Sequence, residues 1–318
     1  MIALAADVGG SRIKLAVVRD GTILARRIEP AQSQLRWEQR LPGLAASWRS
    51  LCTEARLDVA AIDGIGIGFP SLVDSARGRI LDEWGKFPGC ANFDLGAWAR
   101  AMFGKPLALE NDARAALIGE WRQGAGRGCD NVAMITLGTG LGVGVVMQGR
   151  VLRGAHGQAG TLGGHLTVRY GGRTCVCGNI GCAEAEASTA VLRELALARA
   201  DFASSALATE PHLDYEAVFR RADTGDACAI ALRDHSLAVW SVAVVNLIHA
   251  YDPERVIIGG GIMQSSDEIL PAIRAYAHSH AHTAWGKVEI ARCELGDDAA
   301  LLGCSWMVAE KLGAIPAA

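Results

Sequence analysis

D-V-G-G-S-R-I-K-L-A-V-V-R-D-G-T-I-L, residues 7–24, and T-L-G-T-G-L-G-V-G-V-V-M-Q-G-R-V-L, residues 136–152, together decide the architecture. With one residue fewer at the second turn of the later copy, Gly9 meets Gly138, Ala16-Val17-Val18 meets Val145-Val146-Met147, and Gly21 meets Gly149. Each copy reads as a β-meander with a glycine-rich first turn and a tight hairpin second turn. Two copies imply two similar α/β domains. Glycine turns lack side chains and present backbone N–H groups, as a phosphate chain requires. Neither turn is a Walker A loop or a dinucleotide G-x-G-x-x-G before a helix. Two such hairpins facing one another would grip a triphosphate from both sides.

Outward from the first copy, Ile2–Ala6, Ile13–Arg19 and Thr22–Ile28 are the three strands. Residues 35–56 place Trp37, Leu41, Leu44, Trp48, Leu51 and Ala55 on one face of a helix, with both Trp rings in the core. A strand follows at Ile62–Phe69, then a loop through Trp84, Pro88 and Asn92, a helix over Asp94–Phe103 and a short strand at Pro106–Glu110. Asn111-Asp112 precedes a run of helix formers, so this pair caps a helix or holds a carboxylate at a strand-to-helix junction, where α/β folds place active groups. Beyond the second copy, Glu184–Arg199 and Asp226–Ala250 read as helices, the latter apolar on nearly all faces and so buried. Val256–Ile258 is a buried strand ending in Gly259-Gly260-Gly261, where the backbone can lie against a planar or phosphorylated ligand. Helices follow from Asp267 to His280 and, capped by Asp297 and Asp298, to Leu312. His278, His280 and His282 are spaced so as to scatter about a helix axis.

A chain of 318 residues, half of them hydrophobic, holds two domains with real cores. A net charge of −3 without a long basic run excludes a nucleic-acid or membrane-surface binder that relies on broad attraction, and leaves room for a local phosphate pocket. The start, Met1-Ile2-Ala3-Leu4-Ala5-Ala6-Asp7, lacks a basic leader, and the apolar stretches read as too short or too interrupted to span a bilayer. In such a chain Cys52, Cys90, Cys129, Cys228, Cys293 and Cys304 are expected as buried thiols and the cytoplasm as the location.

His165, Cys175, Cys177 and Cys182 fall within one short glycine-punctuated stretch. Three thiolates and an imidazole suit tetrahedral zinc, although Cys-x-Cys is tighter than the usual spacing. Four protein ligands leave no position for water, so the metal is expected to brace rather than catalyse.

These residues resemble the ROK family of bacterial sugar kinases and sugar-responsive repressors, within the actin-like, Hsp70-like ATPase superfamily. The resemblance runs through Asp7-Val8-Gly9-Gly10-Ser11-Arg12, Glu110-Asn111-Asp112-Ala113, Leu137-Gly138-Thr139-Gly140-Leu141-Gly142, His165 with Cys175-Val176-Cys177-Gly178-Asn179-Ile180-Gly181-Cys182-Ala183-Glu184, Ile258-Gly259-Gly260-Gly261 and Gly296-Asp297-Asp298-Ala299. It implies a two-domain ribonuclease H-like fold with a ligand cleft, a smaller domain from residues 1–115 plus 298–318, and a larger one over 116–297 carrying the zinc loop 165–184. It implies an ATP-dependent hexokinase that is a homodimer, with ATP held by Asp7, Gly9, Gly10, Ser11, Arg12, Gly138, Thr139, Gly140 and Gly259, Gly260, Gly261. Asp112 would take the proton from the sugar's primary hydroxyl, Asp7 would orient Mg2+ or its waters, and Ser71, Asn111, His165 and Glu184 would complete the sugar contacts. His165 would give one ring nitrogen to zinc and turn the other to the sugar.

Three positions depart from the family pattern. Leu162 stands where the family has a sugar-contacting Glu, Ser71 where it has Gly, and Arg114 where it has Asn. They bear on which sugar is taken more than on the chemistry, and discrimination among hexoses and N-acetylhexosamines rests on pocket geometry around a few hydroxyls. The alternative from the same family is a sugar-binding regulatory protein without kinase activity. A repressor would carry a DNA-reading helix-turn-helix, for which a first strand beginning at Ile2 leaves no room.

Overall fold

Both meanders form as the sequence predicts. The structure, a computed structural model, describes residues 1–264 and 267–315. It divides into two compact units: residues 1–129, 148–161 and 294–318 make unit 1, and residues 130–147 and 162–293 make unit 2. The last three residues of the expected 298–318 segment lie outside the described residues.

Unit 1 begins with β1 (Ile2–Val8), β2 (Arg12–Arg19), β3 (Thr22–Pro30), α1 (Trp37–Glu54) and β4 (Gly64–Phe69). A small hairpin, β5 (Val73–Asp74) and β6 (Arg79–Ile80), leads to α2 (Leu95–Phe103), β7 (Leu107–Asn111) and α3 (Asp112–Gln123). The sheet order is β3-β2-β1-β4-β7, with β1, β4 and β7 parallel. In β4, Gly-Ile-Gly-Ile-Gly-Phe alternates strictly, and strand geometry sends alternate residues to opposite faces. Ile65, Ile67 and Phe69 join the buried cluster containing Trp37 and Trp48. Phe69 and Phe87 both meet the Trp37 ring edge-on, at 5.0 and 5.2 Å between centroids. The glycines serve the other face, which helices approach closely.

Unit 2 opens with β8 (Val132–Leu137) and β9 (Leu141–Met147), and the chain then forms β10 (Arg150–Val151) after the second hairpin turn. That turn repeats the first in detail: Asp20 and Gly21 have φ of 48° and 74°, Gln148 and Gly149 of 52° and 67°, the paired left-handed residues of a type I′ hairpin. The rest of unit 2 holds α4 (Ala183–Ala187), α5 (Thr189–Leu197), α6 (Tyr215–Asp223), α7 (Ala227–Tyr251), β11 (Arg255–Gly259), α8 (Ile269–His280) and β12 (Glu289–Arg292). Its strands run β9-β8-β11-β12, antiparallel first and parallel thereafter, the pattern of β2-β1-β4-β7 in unit 1. The chain closes in unit 1 with α9 (Ala299–Lys311).

Four expectations are corrected. The single helix expected over residues 184–199 breaks at Ser188, whose φ and ψ of −89° and 162° are extended. The break frees the first turn of α5, and its Thr189 and Ala190 N–H groups donate to the Gly138 and Thr139 carbonyl oxygens at 3.0 and 3.2 Å. Asp298 stands at the start of α9 but makes no side-chain cap bond, because its carboxylate accepts from Arg26 at 2.6 Å. Finally, α7 is long and apolar enough, by length and composition, to cross a membrane. Instead α4, α6 and α8 of the same unit pack against it, with Trp240 and Val244 fully buried. Of the six cysteines expected to be buried, Cys129 and Cys293 are only half-buried.

Candidate active site and metal centre

Register assembles the candidate site of unit 1. Because β1, β4 and β7 are parallel, their carboxyl ends lie together: Asp7 pairs with Gly68, Gly68 with Glu110, and Phe69 with Asn111. Ser71, Asp112 and the glycine turn after Val8 follow directly from these ends, the edge of an α/β sheet where ligands bind. The turn is tight, with the Gly9 N–H donating to the Arg12 carbonyl oxygen at 2.9 Å.

Asn111 caps α3 by accepting from the Arg114 N–H at 3.2 Å, so the cap is Asn111 and Asp112 is the first helical residue. The Asp112 carboxylate accepts from the Ala113 N–H at 2.8 Å and from Asn111 Nδ2 at 3.0 Å. Burial pushes this carboxyl up to about 6, the Asp7 charge pushes the same way, and Lys86 and the two hydrogen bonds oppose them. Burial also raises Asp7, against the pull of Lys14, whose Nζ lies 3.1 Å from Asp7 and 2.9 Å from Asp297. One carboxyl group thus titrates near neutrality and stays ready to accept a proton. The Ser71 hydroxyl donates to the Asp82 carbonyl oxygen, and the Asn111 amide donates to the Ser71 carbonyl oxygen at 3.3 Å.

The residue preceding this pair anchors a buried ion knot. Glu110 and Arg114 are each 1% exposed, and Arg114 Nη1 donates to Glu110 at 2.7 Å. Glu110 also accepts from Arg153 Nε at 3.0 Å and from Ser75 at 3.3 Å. Arg114 Nη2 reaches the Gly157 and Ala159 carbonyl oxygens, each at 3.0 Å, and the Thr161 hydroxyl. Arg114 therefore ties residues 157–161 to the start of α3. At the far end of that helix, fully buried Glu120 accepts from the Ala125, Glu294 and Leu295 N–H groups and so fixes the segment that carries Asp297.

In unit 2 the parallel pair β8 and β11 brings Thr136 opposite Gly259, so both glycine stretches leave the same sheet end. Gly260 has φ of 94°, and a Cβ there would stand 2.2 Å from the Leu137 carbonyl oxygen. Only glycine permits that approach. A Cβ at Gly261 would meet nothing within 4 Å, and one at Gly138 nothing nearer than 3.9 Å, so the backbone is open there to a ligand. Glu184 accepts from the Leu141 N–H at 2.9 Å with one carboxylate oxygen. Its other oxygen lies 3.9 Å from His165 Nε2.

The metal stretch converges as the sequence predicts: the ligand atoms of His165, Cys175, Cys177 and Cys182 lie within 4.8 Å of one another. His165 Nδ1 is 3.4 Å from Cys175 Sγ, and Cys177 Sγ is 3.7 Å from Cys182 Sγ. A tetrahedron with metal–sulfur bonds of about 2.3 Å has edges of roughly 3.8 Å, so the donor set fits zinc. Among the described residues His278 and His280 turn to separate partners, Val288 and Tyr276 carbonyl oxygens.

The sequence pattern did not single out Lys14, Lys86, Glu120 and Arg153, and it marked Glu110 only as part of a motif and Arg114 only as a departure from one. For Lys14 a signal existed, since a hairpin closed at Gly9–Ser11 sets it across from Asp7.

The ROK family model matches residues 3–311. A glucokinase from Halalkalibacterium halodurans is 32% identical, over 96% of this chain and 94% of its own length. The crystal structure of a ROK hexokinase from Thermus thermophilus superposes with a TM-score of 0.79 at 31% identity, covering 99% of this chain and all of that one. A ROK family glucokinase from Streptomyces griseus, solved with glucose and AMPPNP, gives 0.79 at 28% identity over 96% of this chain and 99% of that one.

Proposed function

The chain belongs to the ROK family, and from that premise we propose that it is an ATP-dependent sugar kinase that transfers the γ-phosphoryl group to the 6-hydroxyl of a hexose or N-acetylhexosamine. The observation that carries this is Asp112, a carboxyl pushed up to about 6 at the end of a parallel strand, beside the phosphate turn that follows Asp7. The bound glucose and AMPPNP of the Streptomyces griseus glucokinase support both substrates.

Phosphoryl transfer needs positioning and charge neutralisation more than covalent help. Asp112 accepts the hydroxyl proton as the sugar oxygen bonds to the γ-phosphorus and the bond to the β-phosphate oxygen breaks, leaving ADP. Asn111, whose amide is already oriented by Asp112, holds a second hydroxyl, and Ser71 shapes the same wall. Turn residues Gly9, Gly10, Ser11 and Arg12 and, in unit 2, Gly138, Thr139, Gly140 and Gly259–Gly261 hold the nucleotide. Asp7 is the residue that would hold Mg2+ or its waters, which offset phosphate charge when bound. His165, with Nδ1 among the metal donors and Nε2 toward Glu184, offers its outer nitrogen to the sugar alongside that carboxylate. Zinc, when bound, fixes the tautomer and aim of this ring. Assembly as a homodimer in the cytoplasm belongs to the same proposal.

A general base must be ionised to act. Turnover is therefore expected to fall as pH drops through about 6 and to be full above it. Initial rates with ATP across hexoses and N-acetylhexosamines, followed by a pH series with the best sugar, test this. Asp112→Asn should lower kcat by roughly 10³-fold or more with the fold intact. Sugar binding without turnover on every sugar would instead make the protein a sugar-responsive regulator.

A further inference from the structure

Lys86 is a cation of unit 1 to which the foregoing mechanism gives no task. It sits in the loop between β6 and α2 and is held from both sides. Its N–H donates to the Glu83 carbonyl oxygen at 2.9 Å, and the next N–H, of Phe87, donates to the Ser33 carbonyl oxygen at 2.7 Å. The Phe87 ring is fully buried against Trp37 and Phe69, at 5.2 and 5.7 Å between centroids. A residue flanked by such an anchor has a fixed starting point for its side chain.

From there the side chain runs over the first glycine turn. A Cβ at Gly10 would lie 3.1 Å from Lys86 Cε and 3.6 Å from its Nζ. A side chain at Gly10 would crowd the lysine by a few tenths of an ångström, so the two are in contact over the turn. None of the ion pairs among the described residues involves this ammonium, whereas Lys14, on the strand that follows the turn, pairs with both Asp7 and Asp297. Its charge nevertheless reaches the Asp112 carboxyl, opposing burial and Asp7.

On the kinase reading, Gly10 belongs to the turn that holds the phosphate chain and Asp112 is the base. Both the carboxylate and the triphosphate are anionic, and they must come together for the hydroxyl between them to attack. A lysine that packs on the turn and faces the base offsets that repulsion where charge develops on the transferring phosphoryl oxygens. We propose that Lys86 Nζ contacts the γ-phosphoryl group in transit, and so is a further catalytic residue of this chain. It forms and breaks no covalent bond. The proton still goes to Asp112, and the electron pair of the broken P–O bond leaves with ADP.

The contact predicts a difference between nucleotides that a merely structural lysine would not make. Lys86→Met and Lys86→Arg would be titrated with ATP and with ADP by calorimetry, assayed with the best sugar, and melted. Lys86→Met is expected to bind ATP about tenfold more weakly with ADP binding within about twofold, and to lower kcat roughly 100-fold while KM for the sugar moves less than about threefold. Lys86→Arg, which keeps the charge, should recover most of both losses. Parent-like ATP affinity and kcat in Lys86→Met overturn the inference while leaving the kinase reading in place. Equal weakening of ATP and ADP, or a loss that Lys86→Arg fails to restore together with a lowered melting temperature, assigns the lysine to the loop and also overturns it. A parent protein that binds no ATP and phosphorylates no sugar overturns the kinase reading and the inference with it.

Discussion

At pH 8 the Asp112 carboxyl is ionised where the fold disfavours charge, because burial and Asp7 together outweigh Lys86 and the two hydrogen bonds it accepts. A carboxyl whose folded value lies above its unfolded one costs stability above the unfolded value, and that cost disappears as pH falls through the folded value and then the unfolded one. Asp112→Asn removes the charge and should therefore stabilise the protein at pH 8 by about 2 kcal/mol, with little gain at pH 4, as urea unfolding at the two values would show. A variant less stable than the parent at pH 8 would mean that the carboxylate is held for structure and not for chemistry. The sequence made Asp112 visible through its place after a strand and before a helix. It could not show Lys86 or Arg114 acting near it, because one arrives from a loop 26 residues earlier and the other gains its meaning from residues 157–161. Nor could it show that Asp298 would leave its cap for Arg26, which lies far off in the chain.

Elements were legible where their chemistry is local. Hairpin turns depend on the two residues at their centre, so Asp20-Gly21 and Gln148-Gly149 announced both meanders and, through them, two sheets of one topology. The break at Ser188 was hidden for the opposite reason: both sides are good helix formers, and the interruption serves carbonyl oxygens of Gly138 and Thr139, fifty residues upstream. The contact of α3 with α9 is of the same kind. A Cβ at Gly303 would stand 1.9 Å from the Ala115 carbonyl oxygen, and one at Gly119 1.9 Å from that of Ala299, so the two helices touch backbone to backbone. Gly303→Ala must push α9 from α3, at a cost of about 3 kcal/mol, and should shift the helix that begins at Asp112 enough to lower kcat as well. Gly43→Ala is the control, since a Cβ at Gly43, within α1, would meet nothing within 4 Å. Helix propensity alone favours that change by about 0.5–1 kcal/mol. Urea unfolding of both variants separates close approach from loss of glycine; equal effects would refute the account.

Across the whole molecule the two units repeat a sheet but differ in what holds their loops. In unit 1 the connection from β6 to α2 is tied down by burial, through Phe87 and Cys90. In unit 2 the stretch from His165 to Glu184 has no comparable core. The buried apolar group there is Cys175, Cys182 and Ala185, while Tyr170, Val176 and Ile180 are exposed. A stretch that buries so little apolar surface does little to offset the entropy of ordering its backbone, and a four-ligand metal would supply that stabilisation directly. Two of the four candidate ligands, Cys175 and Cys182, also make up most of that small cluster, so a bound metal and the packing would form one structure. Zinc-loaded protein treated with a strong chelator should lose hydrogen-exchange protection over residues 166–182 while the strands of unit 1 keep theirs, and its melting temperature should fall. If His165 presents its outer nitrogen to the sugar, affinity for the best sugar should fall at least about tenfold in the same sample, whereas affinity for ADP, held elsewhere, should change less than about threefold. Cys177→Ser distinguishes the two roles, because Cys177 is exposed and would contribute to the metal without joining the buried cluster. Should Cys177→Ser lose zinc and keep sugar affinity, the metal serves the fold alone. Should it lose both together, the imidazole aimed by the metal is part of the sugar site.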